Sequence, residues 1–444
     1  MKEIQELRDR IRRLGVVGAG GAGFPTYVKM DEKVDTLILN CAECEPLLKL
    51  HRQLLSRRAQ EILETLAEIA RIVQAKQVVI GIKREYTSTV RELERWKEAF
   101  PQIRIHLLDG VYPMGDEIVL IYEATGRVVR PGGLPIEEGV AVLNVETVFN
   151  IYRALKEQEP VVEKLVSVVA EVKHPSTVSV PLGTSIREAV EMAGGAALED
   201  PVYLVGGPMM GTVKTAEDVV TKTTNAILVL PREHYLIRKK ESNPSIELKR
   251  AASICCQCQA CTDLCPRHML GHPITPHLFM RAASNQDFQD NHPFVNTLFC
   301  SSCGVCELYA CPQELSPRTL MGIYKGGLRK SGVRPPVAEA EPVRAIREYR
   351  KLPEERLMAR LDLTRYDTEA PLVEETGYQV KEVRIPLSQH IGAPAKVIVR
   401  PEEQVEKGQM IAKPDEGLSV GIHASISGRV VSVTETYVTI RSVG

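Results

Sequence analysis

The sequence lacks the excess of positive charge that marks a nucleic-acid binder. Its 56 Lys and Arg are balanced by 57 Asp and Glu, for a net charge of −1, so there is no basic face to collect phosphates. A membrane span is missing as well: no apolar run approaches the roughly 20 residues that a bilayer demands. A secretory leader is not expected either. Residues Met1 to Arg8 are charged and helical in character, unlike a signal sequence. A cytoplasmic location is therefore expected. Peripheral attachment at the inner face of the membrane, or within a protein complex, stays open. With 44% hydrophobic and 25% charged residues in 444, the chain has globular composition and room for about two to four domains.

What the chain does have is cysteine in a pattern. Cys255, Cys258, Cys261 and Cys265 fit C-x2-C-x2-C-x3-C-P, closed by Pro266. Cys300, Cys303, Cys306 and Cys311 repeat it with one extra residue before the last cysteine, closed by Pro312. This is the bacterial ferredoxin spacing for two [4Fe–4S] clusters, in which the fourth cysteine of each run ligates the other cluster. Cys255, Cys258, Cys261 and Cys311 are therefore assigned to one cluster, and Cys265, Cys300, Cys303 and Cys306 to the second. Cys256 is read as a bystander. Zinc or disulfides would not explain two tandem quartets each closed by Cys-Pro. Eight of the 11 cysteines are thereby engaged, which suits a reducing compartment.

The N-terminal third alternates helix and strand. Ile4, Leu7, Ile11 and Leu14 recur at helical spacing. Helices are expected at 51–74 and 86–99, and strands at 36–40, 77–82 and 103–108, giving an α/β domain. Gly18, Gly20 and Gly23 spell G-x-G-x-x-G, with Glu43 twenty residues further on. That is a dinucleotide fingerprint in letters only. The fingerprint requires a buried strand before the first glycine, and here a charged helix precedes it. Pro25 is also awkward in the helix that should follow. A glycine-rich loop does offer close backbone approach and free N–H groups to a phosphate or a flat ring.

Four segments, Gly18 to Thr26, Asn40 to Pro46, Gly110 to Glu117 and Leu143 to Thr147, resemble in order the motifs GRGGAGFPT, NADESEP, GxYxxGEE and NNVET of the flavin- and NADH-binding subunit of respiratory complex I. The resemblance implies bound FMN, held by Gly18, Gly20, Lys29, Asn40, Glu43, Cys44, Tyr112, Gly115, Asp116, Asn144 and Thr147. It also implies NADH near Gly21, Ala22, Phe24, Glu45 and Glu117, with Phe24 stacking on a ring. Ala19, Ala42, Cys44 and Leu47 stand where that family has Arg, Asp, Ser and Gly.

Residues 159–232 pattern as strand pair, helix and strand, and resemble the soluble-ligand-binding β-grasp domain. The helix Ile186 to Ala193 is expected behind a Thr184/Ser185 cap and before Gly194-Gly195. Residues 378–444 resemble a lipoyl-type barrel-sandwich hybrid, but the turn His423 to Gly428 has no lysine to modify. A charged helical linker is expected at 331–377. The whole reads as an α/β multidomain chain: a complex I flavin-subunit-like α/β domain at 1–158, the β-grasp domain, a ferredoxin-like dicluster domain at 233–330, the linker and the C-terminal barrel-sandwich hybrid.

This order resembles the RnfC-like family of electron-transfer proteins, and the carboxyl-terminal barrel-sandwich looks more like its PduS-type cobalamin reductase branch. The resemblance implies an NADH:acceptor oxidoreductase in a hetero-oligomer, with cofactor chemistry and no side chain acting as general acid or base. FMN would be reduced by NADH, and single electrons would leave through two [4Fe–4S] clusters. A corrinoid protein, an Rnf-like complex or a methylenetetrahydrofolate reductase would receive them. The alternative is an electron conduit and docking protein that does not oxidise NADH itself.

Overall fold

The computed structural model describes residues 2–336 and 338–442. The N-terminal domain is built on a parallel four-stranded sheet in the order Ile103–Leu108, Gln77–Lys83, Thr36–Cys41, Val140–Asn144. Strands buried on both faces are read from their apolar runs, and Thr36–Cys41 is buried at all but one position. The helices Lys2–Arg13, Ala59–Val73 and Val145–Tyr152 cover one face, and Glu117–Thr125 packs on the other. Helices lie close to where the periodicity puts them, with one difference. The expected helix at 51–74 is two, Leu50–Arg57 and Ala59–Val73. Arg58 interrupts it at φ −121 and ψ 37, with no glycine or proline to announce the break.

The chain passes from the strand Thr36–Cys41 to Gln77–Lys83 on one side and returns to Val140–Asn144 on the other. Open parallel sheets form a crevice outside the carboxyl ends of their strands where the order reverses in this way. Register puts Asn40 beside Asn144 at that point. The glycine-rich loop is not a strand-to-helix turn. It is pinched by a bridge between Val17 and Pro25 and by the Gly18 N–H donating to the Phe24 carbonyl at 2.9 Å.

The β-grasp domain holds a six-stranded mixed sheet, Leu372–Val373, Ser176–Pro181, Glu163–Ala170, Ala226–Pro231, Pro201–Val205, Thr212–Lys214. Its helix Ile186–Glu191 starts at a Ser185 cap that accepts from the Glu188 N–H. A helical dicluster domain follows, packed around Phe279, Phe294 and Leu320. The barrel-sandwich pairs a four-stranded with a three-stranded sheet over Val383, Ile411, Val430 and Ile440.

The stretch 331–377 is not a charged helical linker. Leu352–Pro353 pairs with Val111–Tyr112 of the flavin domain, Glu354–Arg360 is a short helix, and Leu372–Val373 adds a strand to the β-grasp sheet. Leu352, Leu357, Leu361 and Leu363 are buried in a core shared by the flavin, β-grasp and cysteine-rich domains. Each fully buried leucine stabilises by about 1.5–3 kcal/mol, enough to hold this strap against its own charge.

Leu47 stands where the resembled motif has glycine, and its backbone is left-handed at φ 71. That conformation costs an L-residue about 1–2 kcal/mol. Its side chain, 4% exposed, packs in the shared core and offsets the strain. Replacement by alanine removes the packing and keeps the strain; replacement by glycine removes both. Leu47→Gly is therefore expected to be more stable than Leu47→Ala by about 1 kcal/mol, the reverse of the usual order. Denaturant midpoints of the two variants decide it, and Ala above Gly would refute the account.

Candidate cofactor cleft and cysteine loops

A cleft of about 410 Å³ opens at the strand-order reversal. It is lined by Gly18, Gly20, Gly21, Ala22, Phe24, Lys29, Asn40, Gly115, Glu117, Asn144 and Thr147, eleven of the sixteen residues expected to bind FMN or NADH. Apolar Val28, Leu134, Ile136, Val142 and Leu143 complete its sides. The Ala19 N–H donates to Thr147 Oγ1 at 3.0 Å and ties the glycine loop to the helix Val145–Tyr152. Asn40 Nδ2 donates to the Gly115 carbonyl at 3.0 Å and fixes the far rim. Gly115 must be glycine: an added Cβ would lie 2.3 Å from the Ala42 carbonyl oxygen. Lys29 Nζ pairs with Glu117 at 2.7 Å and donates to the Val142 carbonyl at 2.8 Å.

The residues present fit FMN. Among the described residues the amides of Gly20, Gly21 and Ala22 have no hydrogen-bond partner, which is the donor set a phosphate takes from a loop. A Cβ added at Gly21 would meet nothing within 4 Å, so the loop borders open space. The apolar sides suit a planar ring.

Five expected residues lie elsewhere, each for a visible reason. Glu43 accepts from the N–H groups of His51 at 2.8 Å and Arg52 at 3.1 Å, capping the helix Leu50–Arg57; a carboxylate is favoured at that end of a helix. Cys44 is packed against Gly115, and burial pushes its thiol well up. Glu45 turns to the β-grasp domain, accepting from the N–H groups of Met209 at 2.8 Å and Met210 at 2.9 Å. Burial pushes its carboxyl up to about 7, against the lowering effect of those donors and Lys240. Tyr112 donates its hydroxyl to the Cys303 carbonyl at 2.6 Å. Asp116 caps the helix Glu117–Thr125 and pairs with Arg267 at 2.9 Å. Tyr112 and Asp116 thus join the flavin domain to the cysteine loops.

Those loops are built twice to one plan. Gln257 and Gln259 have φ of 54 and 64; Ser302 and Gly304, at the corresponding places, have 61 and 83. Left-handed backbone at both positions winds each loop about a centre. Donors point at sulfur: the Ser302 N–H to Cys300 Sγ at 3.3 Å, the Leu315 N–H to Cys311 Sγ at 3.4 Å and Gln257 Nε2 to Cys255 Sγ at 3.2 Å. Cys255, Cys258, Cys261 and Cys311 line one small hollow, and Cys256 lines it with them. Burial, then the neighbouring Cys311, Cys255 and Cys258, push Cys261 up to about 12. Cys265 is pushed up by burial and by Cys303 and Cys300, and Cys306 by burial, Cys300 and Cys303. Bare thiolates so crowded repel one another, and a cationic iron core would relieve them. Among the described residues no three His, Cys, Asp or Glu converge on one point as ligands of a single ion do. A cubane asks for a wider set, because each thiolate binds a different iron.

Nothing in the amino-acid string announces that another domain walls the cleft. Ile391 of the barrel-sandwich lines it. Lys222 of the β-grasp domain is buried where three domains meet. Its Nζ donates to the carbonyls of Gly15 at 2.7 Å and Gly421 at 3.1 Å, and its N–H donates to Gln389 Oε1 at 3.0 Å.

Cleft and cysteine loops define a flavin- and iron–sulfur-type oxidoreductase. Residues 11–153 match the Nuo51 FMN-binding domain, 165–213 the SLBB domain, 254–316 the 4Fe-4S dicluster domain and 365–443 the RnfC barrel sandwich hybrid domain. The cobalamin reductase PduS of Citrobacter freundii is 41% identical over 440 residues, covering 99% of this chain and 97% of that protein. Its counterpart in Salmonella typhimurium is 42% identical over 438 residues, covering 98% and 96%. The chain belongs to the PduS cobalamin reductase family. Two crystal structures of NAD+-reducing [NiFe]-hydrogenase, H2-reduced and air-oxidised, share the fold at TM-score 0.50 and 20% identity. They align over 78% and 84% of this chain, which spans about two thirds of their length, 65% and 68%.

Burial brings the Lys222 ammonium down from 10.5 to about 7. Between those values the unfolded chain holds a proton that the folded one has released. Stability contributed by this group therefore rises with pH above about 7 and is flat below it. Lys222→Met should remove that rise when denaturant midpoints are compared between about pH 7 and pH 9. An unchanged slope in the variant would sink the assignment.

Proposed function

We propose that this chain oxidises NADH at the glycine-loop cleft and passes the electrons singly through two [4Fe–4S] clusters to a corrinoid-bearing partner, in the cytoplasm and within a hetero-oligomer. The observation that carries this is the join of the flavin domain to the cysteine loops, through Tyr112 with Cys303 and Asp116 with Arg267, beside the cleft residues Gly115 and Glu117. Bound FMN would supply the change from hydride to single electrons that a nicotinamide donor and iron–sulfur acceptors require.

The chain's own residues do the rest. The amides of Gly20, Gly21 and Ala22 are placed for a phosphate. Phe24 offers an aromatic face, with Lys29 Nζ 5.9 Å from its centre. Glu117 offers a carboxylate to nucleotide hydroxyls and holds Lys29 in place. The quartet Cys265, Cys300, Cys303 and Cys306 adjoins the flavin domain and is the entry side. The other quartet reaches the surface at the exposed Cys258 and is the exit side. A corrinoid is favoured over an Rnf-like membrane complex or a methylenetetrahydrofolate reductase because the full-length relatives are cobalamin reductases. Among the described residues no helix is long and apolar enough to cross a membrane. One observation favours the second reading, a conduit without NADH oxidation: Glu45 is held by the β-grasp turn and does not face the cleft.

The test is an anaerobic absorbance titration of FMN-loaded, iron-reconstituted protein with NADH. The flavin band and the broad iron–sulfur shoulder should both bleach. In Cys258→Ala, flavin reduction should persist while electron delivery to an added corrinoid falls by about tenfold or more. A flavin that resists NADH yet reduces with dithionite would overturn the oxidoreductase reading in favour of the conduit.

A further inference from the structure

Two other domains pack against the glycine loop of the cleft. The β-grasp loop Thr221 to Asn225 is stiffened by its own hydroxyls: Thr224 Oγ1 accepts from the Thr221 N–H at 3.0 Å, and the Asn225 carbonyl accepts from the Ser167 N–H at 2.9 Å. This loop presents the Asn225 amide to Gly20. A Cβ added at Gly20 would stand 2.7 Å from Asn225 Nδ2 and 3.5 Å from Asn144 Nδ2. Asn225 Oδ1 is buried and, among the described residues, has no partner. That oxygen is closed to a ligand as well, whereas Nδ2 is the end of the amide turned to Gly20, which lines the cleft. From the barrel-sandwich, the turn at Gln389 to Ile391 presses on Gly23. A Cβ there would lie 2.9 Å from the Gln389 carbonyl oxygen and 2.9 Å from Thr223 Cγ2. Lys222 clasps loop and turn together through Gln389. Ile391 borders the cleft and is 49% exposed, an apolar side chain with one face uncovered.

We propose that Asn225 and Ile391 contact the bound flavin, so that the cofactor site belongs to three domains. The inference rests on the flavin reading above and adds to it two residues that lie outside the region matching the FMN-binding domain. The amide nitrogen of asparagine is a hydrogen-bond donor. It would suit a carbonyl oxygen or ring nitrogen on the polar edge of an isoalloxazine, and the ring's apolar side would cover Ile391. On this account the unmodified barrel-sandwich serves as a wall of the cofactor site.

The test is FMN binding by the full-length protein after flavin removal, read from quenching of flavin fluorescence. Asn225→Ala should weaken FMN binding about tenfold, and Ile391→Ala several-fold, with iron–sulfur absorbance unchanged in both. Ile398→Ala, on an equally exposed part of the same domain, should stay within about twofold of the parent. FMN affinities within twofold for both Asn225→Ala and Ile391→Ala would overturn the proposal. So would a change confined to the KM for NADH, which would make this wall a nucleotide contact. Failure of the parent protein to bind FMN would remove the flavin reading itself, a result distinct from either.

Discussion

The fold depends on the parallel pairing of Thr36–Cys41 between two strands that lie far from each other in the chain. Leu39 pairs with Ile80 on one side and Leu143 on the other. Because the chain leaves in one direction and returns in the other, the carboxyl ends part and leave a crevice. The same register brings Asn40 and Asn144 to its rim. A slip of one residue would reverse which side chains face each side of the sheet. The buried Ile38, Val79 and Val142 oppose it, since all three pack on the face covered by Glu117–Thr125.

Once the crevice exists, it must be held rigidly against the neighbouring domains. The chain does this with polar groups removed from water. Glu45 reaches from a strand end to the β-grasp turn, and Lys240 donates to the Met209 and Gly211 carbonyls on that same turn. Glu146, one residue before Thr147, pairs with Lys164 of the β-grasp sheet and accepts from the Leu165 N–H. Buried ion pairs of this kind contribute little net stability, but breaking one costs about 3–5 kcal/mol because a charge is left uncompensated. Such contacts make misalignment expensive, which is what a relay between fixed cofactor sites needs.

Much of this architecture is legible in the residues alone. The cysteine spacing announces two loops of one design, because thiolate geometry is local to short segments. The glycine loop stands out in the residues, and the resemblance to the complex I flavin subunit points to Asn40, Gly115 and Asn144, which lie at strand ends and tight turns around the cleft. The direction of Glu45 is not. Its partner is a turn more than 160 residues away, and the local string Cys44-Glu45-Pro46 says nothing about which way the carboxylate turns. Tyr112 and Asp116 escape for the same reason: they sit in a cofactor-like motif but are engaged by a neighbouring domain. In the strap 331–377, the eye falls on Glu and Arg, while four leucines decide its place.

The two quartets differ in surroundings, and that difference would give the proposed relay its direction. Cys306 is buried and Cys303 half-buried, with Tyr112 at the Cys303 carbonyl and Lys325 at that of Cys300. Cys258 and its neighbours Cys256 and Gln259 are exposed. Hydrogen bonds and solvent exposure both tune an iron–sulfur potential, as does the net charge nearby. The outer quartet has a solvent-exposed, uncharged loop about it; the inner one is buried among Arg267 and Lys325, with Asp116 and Glu307 opposing their charge. A partner at the surface meets the outer quartet first, while Tyr112 and Asp116 of the flavin domain bear on the inner one. In the proposed relay the path would then be ordered by the packing of the domains, whatever the sequence distance between the cysteines that would share a cluster.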